Sequence, residues 1–378
     1  MKELELMLSA VCSAMWGCRT LPPAEPETWS RVCALAKSHD LSQIVLEGLA
    51  NVTVPAQARE LLLRHAAAAI SRFYAQNAAL ERLSFSFDKQ GIDYMPLKGA
   101  VLRGLYPSPE WRVGRDLDIL VRRKDLERAR AVATEVLCPV AVGEGSHDVG
   151  FKLPDGVRIE LHFALFHAED GMDDLFEDPF SAAIKEEGHR YRMSDAVLYA
   201  YHVTHMAKHF RRGGCGIRAF LDLFLLCASM QATDLAKARQ MLAQVGLDRF
   251  ETVVSRQSRV FFEGEQGDED TARLARFVAE NQTFGSFRSQ AALLRAEKKG
   301  KLGFWRRAFP SYGVMCYLYP VLRRVPVLLP FCWILRGFRF FSKKDRARFL
   351  AATRAAAQVE AADVVEISRV YEYLKPEG

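Results

Sequence analysis

The chain is 378 residues long, 49% hydrophobic and 26% charged, with 52 Lys+Arg against 46 Asp+Glu. That is enough chain for two or three domains around a substantial core, and the composition is that of an ordinary soluble globular protein. A net charge of +6 is compatible with an anionic substrate and too diffuse to require a nucleic acid.

Residues 1 to about 90 read as helices. Glu3 to Met15 and Trp29 to Lys37 are short amphipathic stretches. Ala56 to Lys89 is long, with Leu62, Phe73, Leu80, Leu83 and Phe87 near helical spacing. Gly91 stands where a helix-ending glycine is expected. Ile92 to Leu97 predicts a first strand, Ala100 to Leu105 a short helix after Gly99, and Asp116 to Val121 a second strand. Lys124 to Leu137 predicts a helix. Asp148 to Leu153 and Gly156 to Leu165 predict two strands joined through Pro154-Asp155-Gly156, whose residues supply turn geometry. Helices are then expected over Ser194 to Phe210, Ile217 to Ser229, Asp234 to Val245, Asp248 to Phe262 and Thr271 to Glu280, with loops at Arg211 to Gly216 and Gly264 to Asp270.

Lys298 to Lys344 changes character, alternating basic residues with aromatic and apolar ones. Its longest uncharged run, Val325 to Leu335, is broken by Pro326 and Pro330 and falls well short of the ~20 residues a spanning helix needs. It reads as a core-packing extension with a solvated basic edge, with peripheral membrane contact as the variant reading. Residues 345–378 read as a closing helix and a tail. The eight cysteines are scattered without a Cys-x-x-Cys pair and read as reduced thiols of a cytoplasmic protein. The opening Met-Lys-Glu-Leu-Glu-Leu mixes acids with apolar residues, unlike a secretory signal.

The chemistry concentrates between Met95 and Val121. Asp116 and Asp118 are two apart in an alternating segment. Residues i and i+2 of a strand share a face, so both carboxylates project together while Leu117, Ile119 and Val121 face a core. Adjacent carboxylates repel and are costly to bury, and a hard divalent cation, Mg²⁺ above all, removes that cost. Gly99 lies at a strand-to-helix switch, where a glycine lets a phosphate approach backbone N–H groups. Further on, Glu160 shares a strand face with Arg158 and His162.

Leu97-Lys98-Gly99, Tyr106-Pro107, Arg112 and Asp116-x-Asp118-x-Leu120-Val121, in that order, resemble the signature of an uncharacterised bacterial nucleotidyltransferase family within the DNA polymerase β-like superfamily. The likeness loosens beyond the motif and extends to roughly Asp222. The broader superfamily has Gly-Ser where this chain has Gly99-Ala100, so a hydroxyl that would touch phosphate is missing. The resemblance implies an α+β fold: a polymerase β-like core, made of a small mixed sheet with flanking helices, plus a helical C-terminal domain. The expected divisions are an N-terminal helical segment (1–55), the core (56–190), a helical domain (191–297) and the basic, aromatic extension (298–378).

The resemblance also implies transfer of a nucleoside monophosphate from an NTP, ATP first among candidates, to a hydroxyl of a small-molecule, peptide or protein acceptor. Pyrophosphate is released, and Mg²⁺ or Mn²⁺ is the cofactor. Asp116, Asp118 and Glu160 are the expected catalytic metal ligands, with Asp148 and Asp155 next in line for the third place. Lys98, Gly99, Arg112 and Arg115 are expected at phosphate. His162, His205, His209, Arg218 and Asp222 are expected to brace the cleft. His202, His205 and His209 share one helical face at i, i+3 and i+7. That spacing admits zinc, but no cysteine or second histidine pair is placed to complete a site, and a structural polar cluster is expected. Two readings compete: a catalytically silent nucleotide- or partner-binding relative, and an RNA-directed transferase. The retained carboxylates argue against the first. Against the second, basic residues are not concentrated around the acidic motif, so nucleic acid is not favoured.

Overall fold

The computed structural model describes residues 1–281 apart from 18–20, 22–23, 146, 167–172 and 212, and beyond them 312, 315, 319–323, 325–339 and 360–375. Most of the basic and aromatic stretch 298–344 therefore lies outside the described residues, as does 345–359.

Three helices open the chain: α1 (Lys2–Trp16), α2 (Pro26–Ser38) and α3 (Ser42–Gly48). The sequence did not announce α3, which has only seven residues and buries most of them rather than one stripe. It crosses α1 closely, since a Cβ on Gly48 would lie 1.9 Å from the Ala10 carbonyl oxygen. Next, α4 (Ala56–Gln90) runs for 35 residues, a span of about 52 Å at 1.5 Å per residue. Its alanine-rich centre favours helix, and Gly91 ends it in the left-handed conformation at φ 65° as expected, with the Ile92 N–H bonding the Phe87 carbonyl at 2.9 Å.

A five-stranded sheet follows in the order β1-β2-β5-β4-β3, from β1 (Tyr94–Pro96), β2 (Asp116–Val121), β3 (Ala141–Glu144), β4 (Asp148–Lys152) and β5 (Arg158–His162). Only β2 and β5 are parallel. The observed strands are shorter than the apolar runs. Ile92 is still in the exit turn of α4, and Gly156 sits at φ 87° in the turn before β5. The edge strand β3 is exposed throughout and has no alternating apolar pattern to betray it. The predicted helix after Gly99 is a single turn, α5 (Gly99–Leu102), continued as a 3-10 turn to Leu105. Helix α6 (Leu126–Leu137) crosses the sheet, and a small ribbon, β6 (Ile184–Lys185) and β7 (Tyr191–Arg192), precedes the helical region.

One face of the sheet buries Leu117, Ile119, Val121, Ile159 and Leu161 against Leu83 and Phe87 of α4 and Ala129 and Ala133 of α6. The alternation in β2 therefore does what its sequence implied. A larger core joins α1–α3 to α7 (Asp195–Phe210), α8 (Ile217–Ser229), α9 (Ala232–Gln244), α10 (Asp248–Phe262) and α11 (Glu269–Glu280). Helix α4 links the two cores: Leu62 lies in the larger, while Leu83 and Phe87 lie in the sheet core. Downstream, α12 (Leu329–Arg339) sits on a small cluster of Met315, Leu322 and Cys332, and α13 (Ala361–Leu374) closes the helical core through Ile367, Val370 and Leu374. No helix among the described residues is long and apolar enough to cross a membrane.

Candidate active site

The sheet face opposite α4 and α6 carries the acids. In the parallel register of β2 and β5, Asp118 stands opposite Glu160 and Leu120 opposite His162. Register partners share a face, so Asp116, Asp118, Glu160 and His162 project together. Asp148, the partner of His162 on β4, is on that face as well, whereas Asp155 is in the turn and accepts from the Val157 N–H at 3.0 Å.

The ligand atoms of Asp118, Glu160 and His162 lie within 4.8 Å of one another, and Asp116 is outside that group. His162 Nε2 is 2.8 Å from Asp118 Oδ1 and 3.5 Å from Glu160 Oε2. Its Nδ1 is buried with no partner among the described residues. Two carboxylates and one imidazole at this separation fit a divalent cation. Burial pushes the Asp116 carboxyl up, and the charges of Asp118 and Glu160 push it the same way. Burial would also raise Asp118, but Lys98 and His162 outweigh it and hold that carboxyl below its ordinary range.

Lys98 is the cation of this cluster. Its Nζ lies 2.7 Å from Asp118 Oδ1. Burial works against its charge, and Asp118 more than restores it, so its pKa is raised. The residue holds φ 47° and ψ −119°, a backbone region that side chains rarely adopt and that concentrates at functional sites. The Leu97 N–H bonds the Asp118 carbonyl at 2.9 Å, which brings Lys98 beside the acidic pair.

Arginines line the loop between α5 and β2. Arg112 is buried, and its Nε donates to both Asp222 oxygens at 2.7 and 3.0 Å. The Tyr106 hydroxyl donates to the same carboxylate at 2.7 Å. Burial would raise the Asp222 carboxyl, but Arg112 holds it down. The Arg112 Nη1 is buried without a partner among the described residues, and a Cβ on Gly99 would lie 3.2 Å from it. Arg218 donates to the Val113 carbonyl at 2.7 Å and pairs with Asp40 at 3.1 Å. Arg115, more exposed, lies 3.6 Å from the same Asp40.

These groups meet in one cleft. Lys98, Gly99, Arg112, Arg115, Asp116 and Asp118 form one side, and His202, His205, His209, Arg218 and Asp222 from α7 and α8 form the other. Glu160 and His162 do not line it and adjoin it through Asp118. His202 Nε2 donates to the Ala219 carbonyl at 2.9 Å. His205 and His209 pack edge to face at 4.5 Å, and burial drives the His205 pKa well down. Two contributors lacked a sequence signal. A Cβ on Gly114 would lie 2.7 Å from the Asp116 carbonyl oxygen, and Gln76 of α4 donates to the Gly114 carbonyl at 3.2 Å. Tyr106 was visible as part of the Tyr-Pro pair, but its partner is 116 residues away.

One cleft beside the small mixed sheet thus gathers the carboxylates of Asp116, Asp118 and Asp222 with the cationic side chains of Lys98, Arg112, Arg115 and Arg218. The family model described as an uncharacterised nucleotidyltransferase matches residues 25–263, more than half of the chain, and the chain belongs to that family. Comparison with curated proteins and with solved structures found no match in either set.

Proposed function

We propose that this protein transfers a nucleoside monophosphate from an NTP, ATP first, to a hydroxyl of a small-molecule, peptide or protein acceptor and releases pyrophosphate. The carrying observation is the register of β2 against β5, which sets Asp118 beside Glu160, with Asp116 two residues away and Lys98 in contact. Asp116, Asp118 and Glu160 would hold Mg²⁺ or Mn²⁺, with His162, whose ligand atom lies within 4.8 Å of those of Asp118 and Glu160, as a further ligand. When bound, such an ion neutralises triphosphate charge and acts as a Lewis acid at the phosphoryl group.

The remaining roles belong to side chains. Lys98 and the free Nη1 of Arg112 receive phosphate oxygens, the latter because it is buried, cationic and unsatisfied. Arg115 reaches phosphate from the rim of the cleft. Asp222 and Tyr106 hold Arg112 in place, and Gly99 keeps the space beside it open. His202, His205, His209 and Arg218 shape the opposite wall. Glu160, half-exposed next to Asp118, is placed in this reading to receive the acceptor proton. The scattered cysteines of the sequence, with no Cys-x-x-Cys pair, support a reducing, cytoplasmic setting.

The test is pyrophosphate release from each NTP in turn with Mg²⁺ or Mn²⁺, using cell extract as the source of acceptor. Wild type should turn over one NTP, while Asp116→Ala and Asp118→Ala should be inactive though folded. Full activity in both variants would overturn the reading. NTP binding without any turnover would favour the catalytically silent alternative.

A further inference from the structure

Charge is unevenly distributed along this chain. Residues 298–344 contain 11 Lys+Arg and no Asp or Glu, while all other residues together contain 41 Lys+Arg against 46 Asp+Glu. The basic excess of the protein therefore resides in one acid-free stretch, and the remainder is net negative.

Within that stretch, α12 and the turn before it present an apolar face to solvent. Val327 is 81% exposed, Phe331 58% and Ile334 56%, with Leu328 and Leu335 exposed beside them. Their positions recur at helical spacing. The other side of α12 is occupied, because Leu329, Cys332 and Trp333 pack with Met315 and Leu322. Exposed apolar side chains on α4 are arranged differently. Leu63, Tyr74 and Phe85 stand eleven residues apart, about 16 Å along a helix. Contiguity is what marks an interaction surface. At eleven residues α12 is too short to span a bilayer and suits lying on one.

We propose that the exposed apolar face of α12 and of the turn before it docks this protein on an anionic lipid bilayer. Val327, Leu328, Phe331, Ile334 and Leu335 enter the boundary between headgroups and acyl chains, and the acid-free basic stretch supplies the attraction to lipid phosphate. Four of these five side chains are aliphatic. Phe331 is the one aromatic ring on this face, too few to stack successive bases, so the face favours a bilayer over a single-stranded nucleic acid. The docking is independent of the reaction assigned to the cleft.

The experiment is co-sedimentation of the full chain with phosphatidylcholine vesicles and with mixed phosphatidylcholine–phosphatidylglycerol vesicles, at low and high salt, with a single-stranded RNA titration in parallel. Retention on the anionic vesicles is expected, at least about tenfold above the neutral ones and weakened by salt. The double variant Phe331→Ser/Ile334→Ser should lower the partition coefficient by on the order of tenfold or more. Arg323→Gln/Arg324→Gln should lower it by roughly tenfold, and Phe85→Ser on α4 should leave it unchanged. A thermal transition matching wild type confirms that each variant is folded. If the serine variant unfolds, the arginine variant and the salt series decide. Equal retention on neutral vesicles, no retention on anionic ones, indifference to the substitutions, or binding of RNA alone would overturn the proposal.

Discussion

Lys98 Nζ lies 2.7 Å from Asp118 Oδ1, the same oxygen that accepts from His162 Nε2 at 2.8 Å. Asp118 is 3% exposed, so its charge is balanced by these two donors rather than by water. Lys98 thereby occupies part of the coordination that a divalent ligand set would need. A metal that takes Asp118 through Oδ1 displaces Lys98 from that oxygen, and one that takes Oδ2 still meets the ammonium charge close by.

Lys98→Met should therefore separate two properties. Without metal, the variant leaves a buried carboxylate short of its cation and should lose about 3 kcal/mol of stability. With Mn²⁺ that loss should shrink, and Mn²⁺ affinity measured by electron paramagnetic resonance should rise by on the order of tenfold, because the competing charge is gone. Unchanged Mn²⁺ affinity in a folded variant would mean that the lysine does not compete.

Glu160 is expected to contribute more than charge. Glu160→Ala should reduce pyrophosphate release by on the order of 10² or more, and Glu160→Asp should retain part of the activity. Asp148 faces His162 across β4 and β5 and is the alternative third acid. An unimpaired Glu160→Ala enzyme together with an inactive Asp148→Ala enzyme would transfer the role.

Two glycines should differ in their tolerance of a methyl group. At Gly114 a Cβ would meet the Asp116 carbonyl oxygen at 2.7 Å, and backbone has little room to yield, so Gly114→Ala should cost about 1–3 kcal/mol by urea unfolding. At Gly99 the obstacle is the end of the Arg112 side chain at 3.2 Å. Gly99→Ala should keep near-normal stability and instead raise KM for the NTP several-fold, on the order of tenfold, by displacing Arg112 Nη1. Equal thermal losses in the two variants would contradict this division.

Acid sensitivity should trace in part to His39. Its Nδ1 accepts from the Ile217 N–H at 3.2 Å, so Nε2 carries the proton and donates to the Ala279 carbonyl at 3.3 Å. Burial first of all pushes its pKa down from 6.5 to about 4. Because the folded value lies below the unfolded one, the contribution is present above pH ~6.5 and is lost as pH falls toward 4, at about 1.4 kcal/mol per pH unit. His39→Gln should flatten the fall in unfolding free energy between pH 6.5 and 4.5. Parallel wild-type and variant curves would remove His39 from the account.

By itself the sequence determined the local elements and the chemistry they bear. Alternation in Asp116–Val121 assigned Leu117, Ile119 and Val121 to a core and both aspartates to the opposite face, and a two-residue period requires that wherever the strand lies. The same local rules located α4 with its terminal Gly91 and the five helices from α7 to α11. Tertiary structure decided which strand lies beside β2, and that register sets Glu160, already implied by the family resemblance, and His162 beside Asp118. It also decided that Arg112 is committed through Nε to Asp222, 110 residues away, while its buried Nη1 has no partner among the described residues. Short elements without an alternating or one-sided apolar pattern, such as α3 and β3, were invisible for the same reason. Backbone preference acts over a few residues, whereas a sheet register or a buried ion pair is selected by the packing of the whole chain.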